Sequence, residues 1–290
     1  MSLYIKRLLM NIQIKKFDPK TIDPCRICVF IGRRGTGKSQ LVTDILYHQR
    51  KIPMGVVMSG TEESNEHYKQ YVPDSFIYGQ YEPDVVKNII GHQQKMLKKL
   101  KPSEKEDFSD PANSVFMLLD DCMFDNKWTR DKDMRCVFMN GRHYRIFFML
   151  TLQYCMDLPP ALRGQCDYIF ILRENILENR VKLHKHFFGI FPTFDAFNEV
   201  LNQCTENYEC LVLNVRSTSN KIEDVVFWYK AKVGRKFKIG SKELWEHHKR
   251  NYNPKGDSEP EKTNIKKKGP DVVVIKTDSE GKKKRIKKKV

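Results

Sequence analysis

Residues 27–46 read Ile27-Cys28-Val29-Phe30-Ile31-Gly32-Arg33-Arg34-Gly35-Thr36-Gly37-Lys38-Ser39-Gln40-Leu41-Val42-Thr43-Asp44-Ile45-Leu46. An apolar run leads into a glycine-rich bend, and the bend into apolar positions at helical spacing. Gly32 to Ser39 match G-x-x-x-x-G-K-[ST], in the strand–loop–helix context that gives this pattern its meaning. Gly35 and Gly37 free the backbone to aim N–H groups at phosphate oxygens, and the following helix adds its positive dipole end. Lys38 is placed to reach the β- and γ-phosphates, and the Ser39 hydroxyl to ligate Mg²⁺. The sequence therefore predicts a nucleoside triphosphate site, with ATP and Mg²⁺ as its ligands. Its expected binding residues are Gly32, Arg33, Arg34, Gly35, Thr36, Gly37, Lys38, Ser39 and Gln40.

Further apolar runs follow at Met54–Met58, Val115–Leu119, Ile146–Leu152 and Tyr168–Leu172. They are rich in Val, Ile and Phe without polar alternation, as strands covered on both faces are. Helical patterns at Ser39–Arg50 and Val85–Leu100 separate several of them, so the expected fold is α/β with a mostly parallel sheet flanked by helices. Its ligand belongs at the carboxyl ends of the strands. Lys101–Asn113, with two prolines and many charges, reads as an exposed loop. Beyond Leu172 two helices are expected at Asn179–Phe188 and Thr193–Cys204. Segments Glu209–Val215 and Asp224–Ala231 then flank polar Ser217–Lys221 as a β-hairpin addition, and a short helix follows at Lys242–Arg250. The expected division is an ATPase domain over 1–250 (extension 1–24, core 25–175, helical and hairpin addition 176–250) and a basic tail over 251–290. The tail's low hydrophobicity and dense charge predict disorder, with Asp271–Lys276 as a short strand on docking.

The 290 residues carry a formal net charge of +16, which implies a polyanionic partner. The tail holds 13 Lys/Arg against 6 Asp/Glu between 255 and 290, so the body is basic as well. No run approaches the roughly 18 apolar residues of a membrane span, and no secretory signal is read in residues 1–20. The eight cysteines then suit a reducing compartment. Cys25-Arg26-Ile27-Cys28 has zinc-type spacing, but Cys28 falls within a strand and no second close pair follows.

Val115-Phe116-Met117-Leu118-Leu119-Asp120-Asp121 is an apolar strand ending in two acids. A carboxylate at the tip of a buried strand suits a magnesium shell, the role expected of Asp120. Asp121 is then placed to orient or deprotonate an attacking water. Gln153 ends the run Ile146–Leu152, which delivers its amide to the same sheet edge, between a γ-phosphate and that water.

With these residues in hand, the chain resembles the FtsK–HerA superfamily of DNA-pumping ATPases, and within it the genome-packaging ATPases of large nucleocytoplasmic DNA viruses. The resemblance rests on Gly32–Ser39, Leu118-Leu119-Asp120-Asp121, Gly141-Arg142-His143-Tyr144 and Thr151-Leu152-Gln153. It extends through Leu158-Pro159-Pro160-Ala161-Leu162-Arg163, Asp167-Tyr168-Ile169-Phe170 and Val226-Phe227-Trp228-Tyr229-Lys230-Ala231, spanning roughly residues 15–235. It implies a RecA-like P-loop NTPase core, a homo-oligomeric ring, and ATP hydrolysis at subunit interfaces with an arginine supplied in trans. It also implies translocation of double-stranded DNA into a capsid, with a capsid or portal component as partner, in the virion and the host-cell cytoplasm. The superfamily commonly carries Asp-Glu at the strand tip. Asp121 is one methylene shorter and reaches water less directly.

Arg142 and Arg163, before the fourth and fifth strands, are the candidate trans arginines, with Arg173 a third. Channel loops around Lys127–Lys132 would grip DNA phosphates without reading bases. The run Lys282–Lys289 would bind DNA or an acidic protein, serve as a nuclear import address, or stay solvated. Phe187–Phe191 reads as packing. Two other functions share the cradle: a small-molecule kinase, and a nucleic-acid-binding structural protein that holds ATP without turnover. The basic surface, acid pair and Gln153 suit water attack better than an acceptor pocket.

Overall fold

The computed structural model describes residues 12–122 and 126–252, with backbone pairing of Lys276–Thr277 to Lys283–Lys284. The chain divides into two compact units, Met1–Tyr252 and Asn253–Val290. Apart from that short pairing, the expectations for the tail, including Asp271–Lys276 and Lys282–Lys289, lie outside the described residues. So does the start of the N-terminal extension.

In chain order the first unit runs β1 (Lys15–Lys16), β2 (Ile27–Ile31), α1 (Lys38–His48), β3 (Met54–Ser59), α2 (Glu62–Asn65), β4 (Ile77–Tyr78), α3 (Pro83–Lys99) and α4 (Pro102–Glu106). It continues through β5 (Val115–Asp120), α5 (Lys132–Asn140), β6 (Ile146–Leu152), α6 (Pro160–Arg163), β7 (Tyr168–Ile171), α7 (Leu177–His186) and α8 (Phe194–Cys204). It closes with β8 (Glu209–Asn214), α9 (Ile222–Val225), β9 (Val226–Lys230) and α10 (Lys242–Asn251). Among the described residues these strands form one nine-stranded sheet in the order β1-β9-β8-β7-β2-β6-β5-β3-β4. The six neighbours from β7 through β2, β6, β5 and β3 to β4 are parallel, and β8 is antiparallel to both β7 and β9. This is the RecA-like α/β core with its hairpin addition.

The strands lack alternation because both faces are covered. Val29, Met117, Phe148 and Leu150 point into one core with Ile89 and Ile90 of α3, Val137 of α5 and Phe197 of α8. Cys28, Phe30, Leu118 and Met149 point into the other, against Leu41, Val42, Ile45 and Leu46 of α1. Each fully buried large side chain contributes roughly 1.5–3 kcal/mol, so the two cores fix where every strand ends. Phe188 and Phe191 are buried against Phe197, as packing groups.

Helix α1 is also fixed by charge. Asp44, wholly buried, accepts from Tyr229 Oη at 2.6 Å, Lys232 N at 3.0 Å and Arg235 Nε at 2.6 Å. Three donors meet one carboxylate, which ties the helix behind the glycine-rich bend to the end of β9.

Several features differ from the expected organisation, among them the short α2, β4 and α6. Lys15–Lys16 pairs parallel to β9, because Phe17 is buried among Tyr168, Phe170, Phe227 and Tyr229. Helix α5 is capped by Asp131, whose carboxylate accepts from Met134 N, and it buries Met134, Val137 and Phe138. The segment read as a loop at Lys101–Asn113 holds α4 and a 3₁₀ turn at Pro111–Asn113. Buried Arg145 donates to the carbonyls of Glu104 and Asp107 there. Lastly, the β8–β9 connection contains α9.

Gly55 pairs with Phe116, whose ring lies over it. A Cβ at residue 55 would sit 2.2 Å from Phe116 Cδ1 and 2.4 Å from its carbonyl oxygen. Backbone cannot yield as a side chain can, so Gly55→Ala is expected to cost about 1–3 kcal/mol, read as a lowered urea midpoint. An unchanged midpoint would contradict this packing.

Candidate nucleotide site

The sheet order sets the site. Strands β2, β6 and β5 are neighbours, so their carboxyl ends lie side by side at spacings of about 4.8 Å. The bend 32–39 leaves β2, Gln153 leaves β6, and Asp120-Asp121 leave β5. Gln153 therefore sits between the glycine-rich bend and the acid pair.

Side chains close that span. Lys38 Nζ donates to Asp121 Oδ1 at 3.2 Å, with Lys38 buried and Asp121 nearly so. Gln153 Nε2 donates to the same oxygen at 3.1 Å. Asp121 holds a left-handed backbone, φ 50°, which costs a non-glycine residue roughly 1–3 kcal/mol. Its N–H donates to Thr151 Oγ1 at 3.0 Å, which fixes that conformation.

Asp120 is buried behind this pair. Thr151 Oγ1 donates to Asp120 Oδ1 at 2.7 Å and Tyr68 Oη to Oδ2 at 2.9 Å. Each carboxylate oxygen thus carries one donor and keeps a second lone pair. Burial pushes the Asp120 carboxyl above the ordinary range, and neighbouring Asp121 adds to this. The Thr151 and Tyr68 bonds and the Lys38 charge act the other way.

Tyr68 is aimed by buried Glu62, whose Oε1 accepts from Tyr68 N at 2.8 Å and Lys69 N at 3.1 Å. Beside it, His67 Nε2 lies 2.8 Å from Thr43 Oγ1, and that hydroxyl is 2.8 Å from Ser39 O. A hydroxyl has one proton; if it goes to Ser39 O, His67 must donate from Nε2. The segment after β3 thus contacts both Asp120 of the acid pair and the middle of α1.

Helix α1 begins at Lys38 with Gly37 as its cap, in a left-handed conformation and, among the described residues, with no side-chain cap hydrogen bond. Its N-terminal N–H groups face a cavity of about 530 Å³ lined by Arg33, Gly35, Lys38, Ser39, Asn65 and Tyr208, among others. Two more cavities adjoin through shared residues. One, of about 630 Å³, includes Arg34, Thr36, Gln153, Arg173 and Asn179; the other, about 690 Å³, includes Arg34, Thr61, Tyr81, Asp121 and Gln153.

The candidate arginines separate. Arg142 is exposed, 5.1 Å from the Phe108 ring, in a cavity with Arg26, Gly164, Asp167 and Arg216 at the opposite, amino-terminal edge of the sheet. Arg163 donates from Nε to Leu158 O at 2.8 Å, lies over Phe187, and lines none of the three cavities round the bend. Arg173 does line the cavity beside Gln153. Within one chain, then, Lys38, Asp121 and Gln153 meet, and Arg142 and Arg163 do not join them. Around Lys127–Lys132, Trp128 is fully buried against Phe138, while Lys127, Arg130 and Lys132 are exposed.

Tyr68 and Tyr208 are not singled out by the sequence, and Thr151 enters there only within the motif Thr151-Leu152-Gln153, with no role of its own. Thr151 was visible as the one hydroxyl inside an apolar run. Tyr68 had no local signal.

Comparison with known proteins places the chain. Protein L437 of Acanthamoeba polyphaga mimivirus is 40% identical over 253 residues, covering 87% of this chain and 86% of its own length. The chain belongs to this viral family. Protein 075L of Invertebrate iridescent virus 6 is another relative, 34% identical over 255 residues, 83% of this chain and 95% of that protein. No family model matches the chain. Among solved structures, the viral family's fold is shared by the genome packaging NTPase B204 of Sulfolobus turreted icosahedral virus 2, solved with ATP-γS. The TM-score is 0.51 at 17% identity, over 73% of this chain and all of that one. The resemblance to FtsK–HerA-type P-loop NTPases therefore stands at the level of fold.

Asp120 offers a pH test. Its folded carboxyl holds a proton more tightly than the unfolded chain does, so stability is lost as pH rises from the ordinary carboxylate range through the raised value. Asp120→Asn removes that cost while keeping a side chain that can meet Thr151 and Tyr68. It is expected to raise the urea midpoint at about pH 7, with the gain shrinking toward about pH 4. Denaturation at both pH values checks the sign, and a lower midpoint at neutral pH would overturn it.

Proposed function

We propose that this protein is an ATP-hydrolysing double-stranded DNA translocase that packages a viral genome into the virion. One observation carries the catalytic half of this reading: Lys38 and Gln153 converge on Asp121 Oδ1, at 3.2 and 3.1 Å, in front of an uncapped helix start. Charge +16, the viral family and the packaging NTPase fold support the rest.

In this reading a triphosphate lies on Gly32–Ser39, with N–H groups of the bend and the first turn of α1 on its oxygens. Lys38 then exchanges the Asp121 carboxylate for the β- and γ-phosphates. That exchange releases Asp121 and Gln153 to hold a water in line, and Asp121 takes its proton. The left-handed backbone of Asp121 helps a short acid present its carboxylate at the cavity.

Mg²⁺ fits the donor set. Magnesium is usually held by one or two carboxylates together with substrate phosphates. Asp120 keeps a free lone pair on each oxygen, and Ser39 lines the cavity at the start of α1. Among the described residues no group of three or more His, Cys, Asp or Glu is arranged as a metal cage, so phosphate must complete the shell. Once bound, the ion neutralises charge building on the phosphoryl oxygens.

A ring supplies the missing arginine. A residue acting in trans must be exposed, and Arg142 meets that condition, whereas Arg163 is half-buried and donates to Leu158 O. For DNA, the exposed cations Lys127, Arg130 and Lys132 stand on a segment pinned by Trp128, suited to phosphate contacts from a firm base. Packaging puts the protein in the host-cell cytoplasm and the virion, beside a capsid or portal component.

Measuring phosphate release with and without duplex DNA tests the enzyme. Asp121→Asn is expected to bind ATP as the parent does and to lose turnover, and Lys38→Ala to lose both. Turnover by Asp121→Asn at the parental rate would sink the assignment, and phosphorylation of a small acceptor would favour a kinase. Duplex affinity is expected to fall steeply between 50 and 200 mM salt, by about 10³-fold or more if some six phosphates are contacted. A flat salt response would argue against backbone gripping.

A further inference from the structure

The turn between α8 and β8 carries a second element of the site. Strand β8 runs antiparallel to β7, with Ile171 opposite Leu211, so its first residue lies beyond the carboxyl end of β7. That register brings Glu206-Asn207-Tyr208 to the edge where the glycine-rich bend leaves β2. Tyr208 is 71% exposed, and it lines the same cavity as Gly37, Lys38, Ser39 and Gln40. Its ring packs on Gly37: a Cβ at residue 37 would stand 3.1 Å from Tyr208 Cδ1.

The backbone there is strained. Asn207 and Tyr208 are consecutive left-handed residues, φ 50° and 62°. Asn tolerates that region, whereas a bulky aromatic does so at a cost. The turn is held from both sides. Glu209 N donates to Glu206 O at 2.8 Å, and buried Thr205 bonds through Oγ1 to Leu201 O at 2.6 Å. Rigid anchors thus force a large apolar ring out into water beside the phosphate cradle. Folding gains little from a ring so exposed, and strain of this kind gathers at ligand clamps.

We propose that the Tyr208 ring is the platform on which the nucleobase of the bound triphosphate stacks. This rests on the reading of Gly32–Ser39 as a triphosphate cradle and adds the base-binding half of the site. Tyr208 lines the cavity at Gly37 and Gln40, which Asp121 also borders, whereas Gln153 lines only the two adjoining cavities, so the ring stands on the side of the bend opposite Gln153, where sugar and base would leave the cradle. Stacking uses the π-face that every base has, so the platform supplies affinity and little choice between purines.

Titration calorimetry of the full chain with two ligands, ATP-γS and inorganic tripolyphosphate, separates base from phosphate. Tyr208→Ala is expected to weaken ATP-γS by roughly 5- to 150-fold, the range for losing one aromatic stack, and to leave tripolyphosphate unchanged. Tyr208→Phe, which keeps the ring, is expected to bind both as the parent does. Unchanged ATP-γS affinity in Tyr208→Ala would overturn the proposal, as would an equal loss for both ligands, which would make Tyr208 a prop for the bend. If the parent chain binds neither ligand, the cradle reading itself fails and the platform falls with it.

Discussion

The ion pair between Lys38 and Asp121 bridges the first and third of three adjacent strands, and the site exists only because the sheet permits it. Lys38 is the first residue of α1 and buried. Asp121 lies just past the end of β5. Bringing them to 3.2 Å requires β6, and nothing else, between β2 and β5. It also requires α1 to be seated firmly enough that its first turn does not drift. The second condition is met by Asp44, whose three donors lock the helix to the hairpin addition. The hairpin is therefore part of the site's foundation.

The two acids of the pair work from different surroundings, although they are adjacent in the chain. Asp120 is desolvated and ringed by Tyr68 and Thr151, and burial disfavours its ionised form. Asp121 sits at the cavity wall with Lys38 and Gln153 on one oxygen. Adjacent residues on a strand point to opposite faces. Here the left-handed turn at Asp121 breaks that alternation and lets both carboxyls serve one edge. On the proposed reading such a pair is set for exchange, because phosphate oxygens would compete for Lys38 with the carboxylate that holds it.

Much of this was legible in the sequence, for identifiable reasons. Five of the six neighbouring parallel strands are legible to within a residue at their ends because strands buried on both faces are continuous apolar runs, whereas the two-residue β4 carries no such run. The bend and the acid pair stand out in the sequence because their residue types and spacing are those phosphate chemistry would use, and the structure brings the two together through Lys38 and Asp121. Helix α5 was missed because its apolar positions, Met134, Val137 and Phe138, cover barely two turns and its cap is a single Asp131. Strand β1 was missed because two exposed lysines carry no strand pattern, and only Phe17, buried from the far side of the sheet, puts them there. Tyr68 could not have been found, since its partner Asp120 is 52 residues away and joined to it only by tertiary packing.

Where the fold spends conformational energy points the same way. Five non-glycine residues among those described have positive φ: Glu66, Asp121, Arg145, Asn207 and Tyr208. Arg145 lies at the amino-terminal edge, where its buried guanidinium ties down the segment before β5. The other four lie at the carboxyl edge, around the glycine-rich bend. Glu66 ends α2 and opens the turn that carries His67 and Tyr68, Asp121 is the acid at the cavity wall, and Asn207-Tyr208 form the turn on Gly37. A fold that placed such strain at random would scatter it over both ends of the sheet. Gathered at the carboxyl edge, it marks the loops whose shape is set by what they must hold, while the strands beneath them keep ordinary geometry and absorb the cost through two well-packed cores.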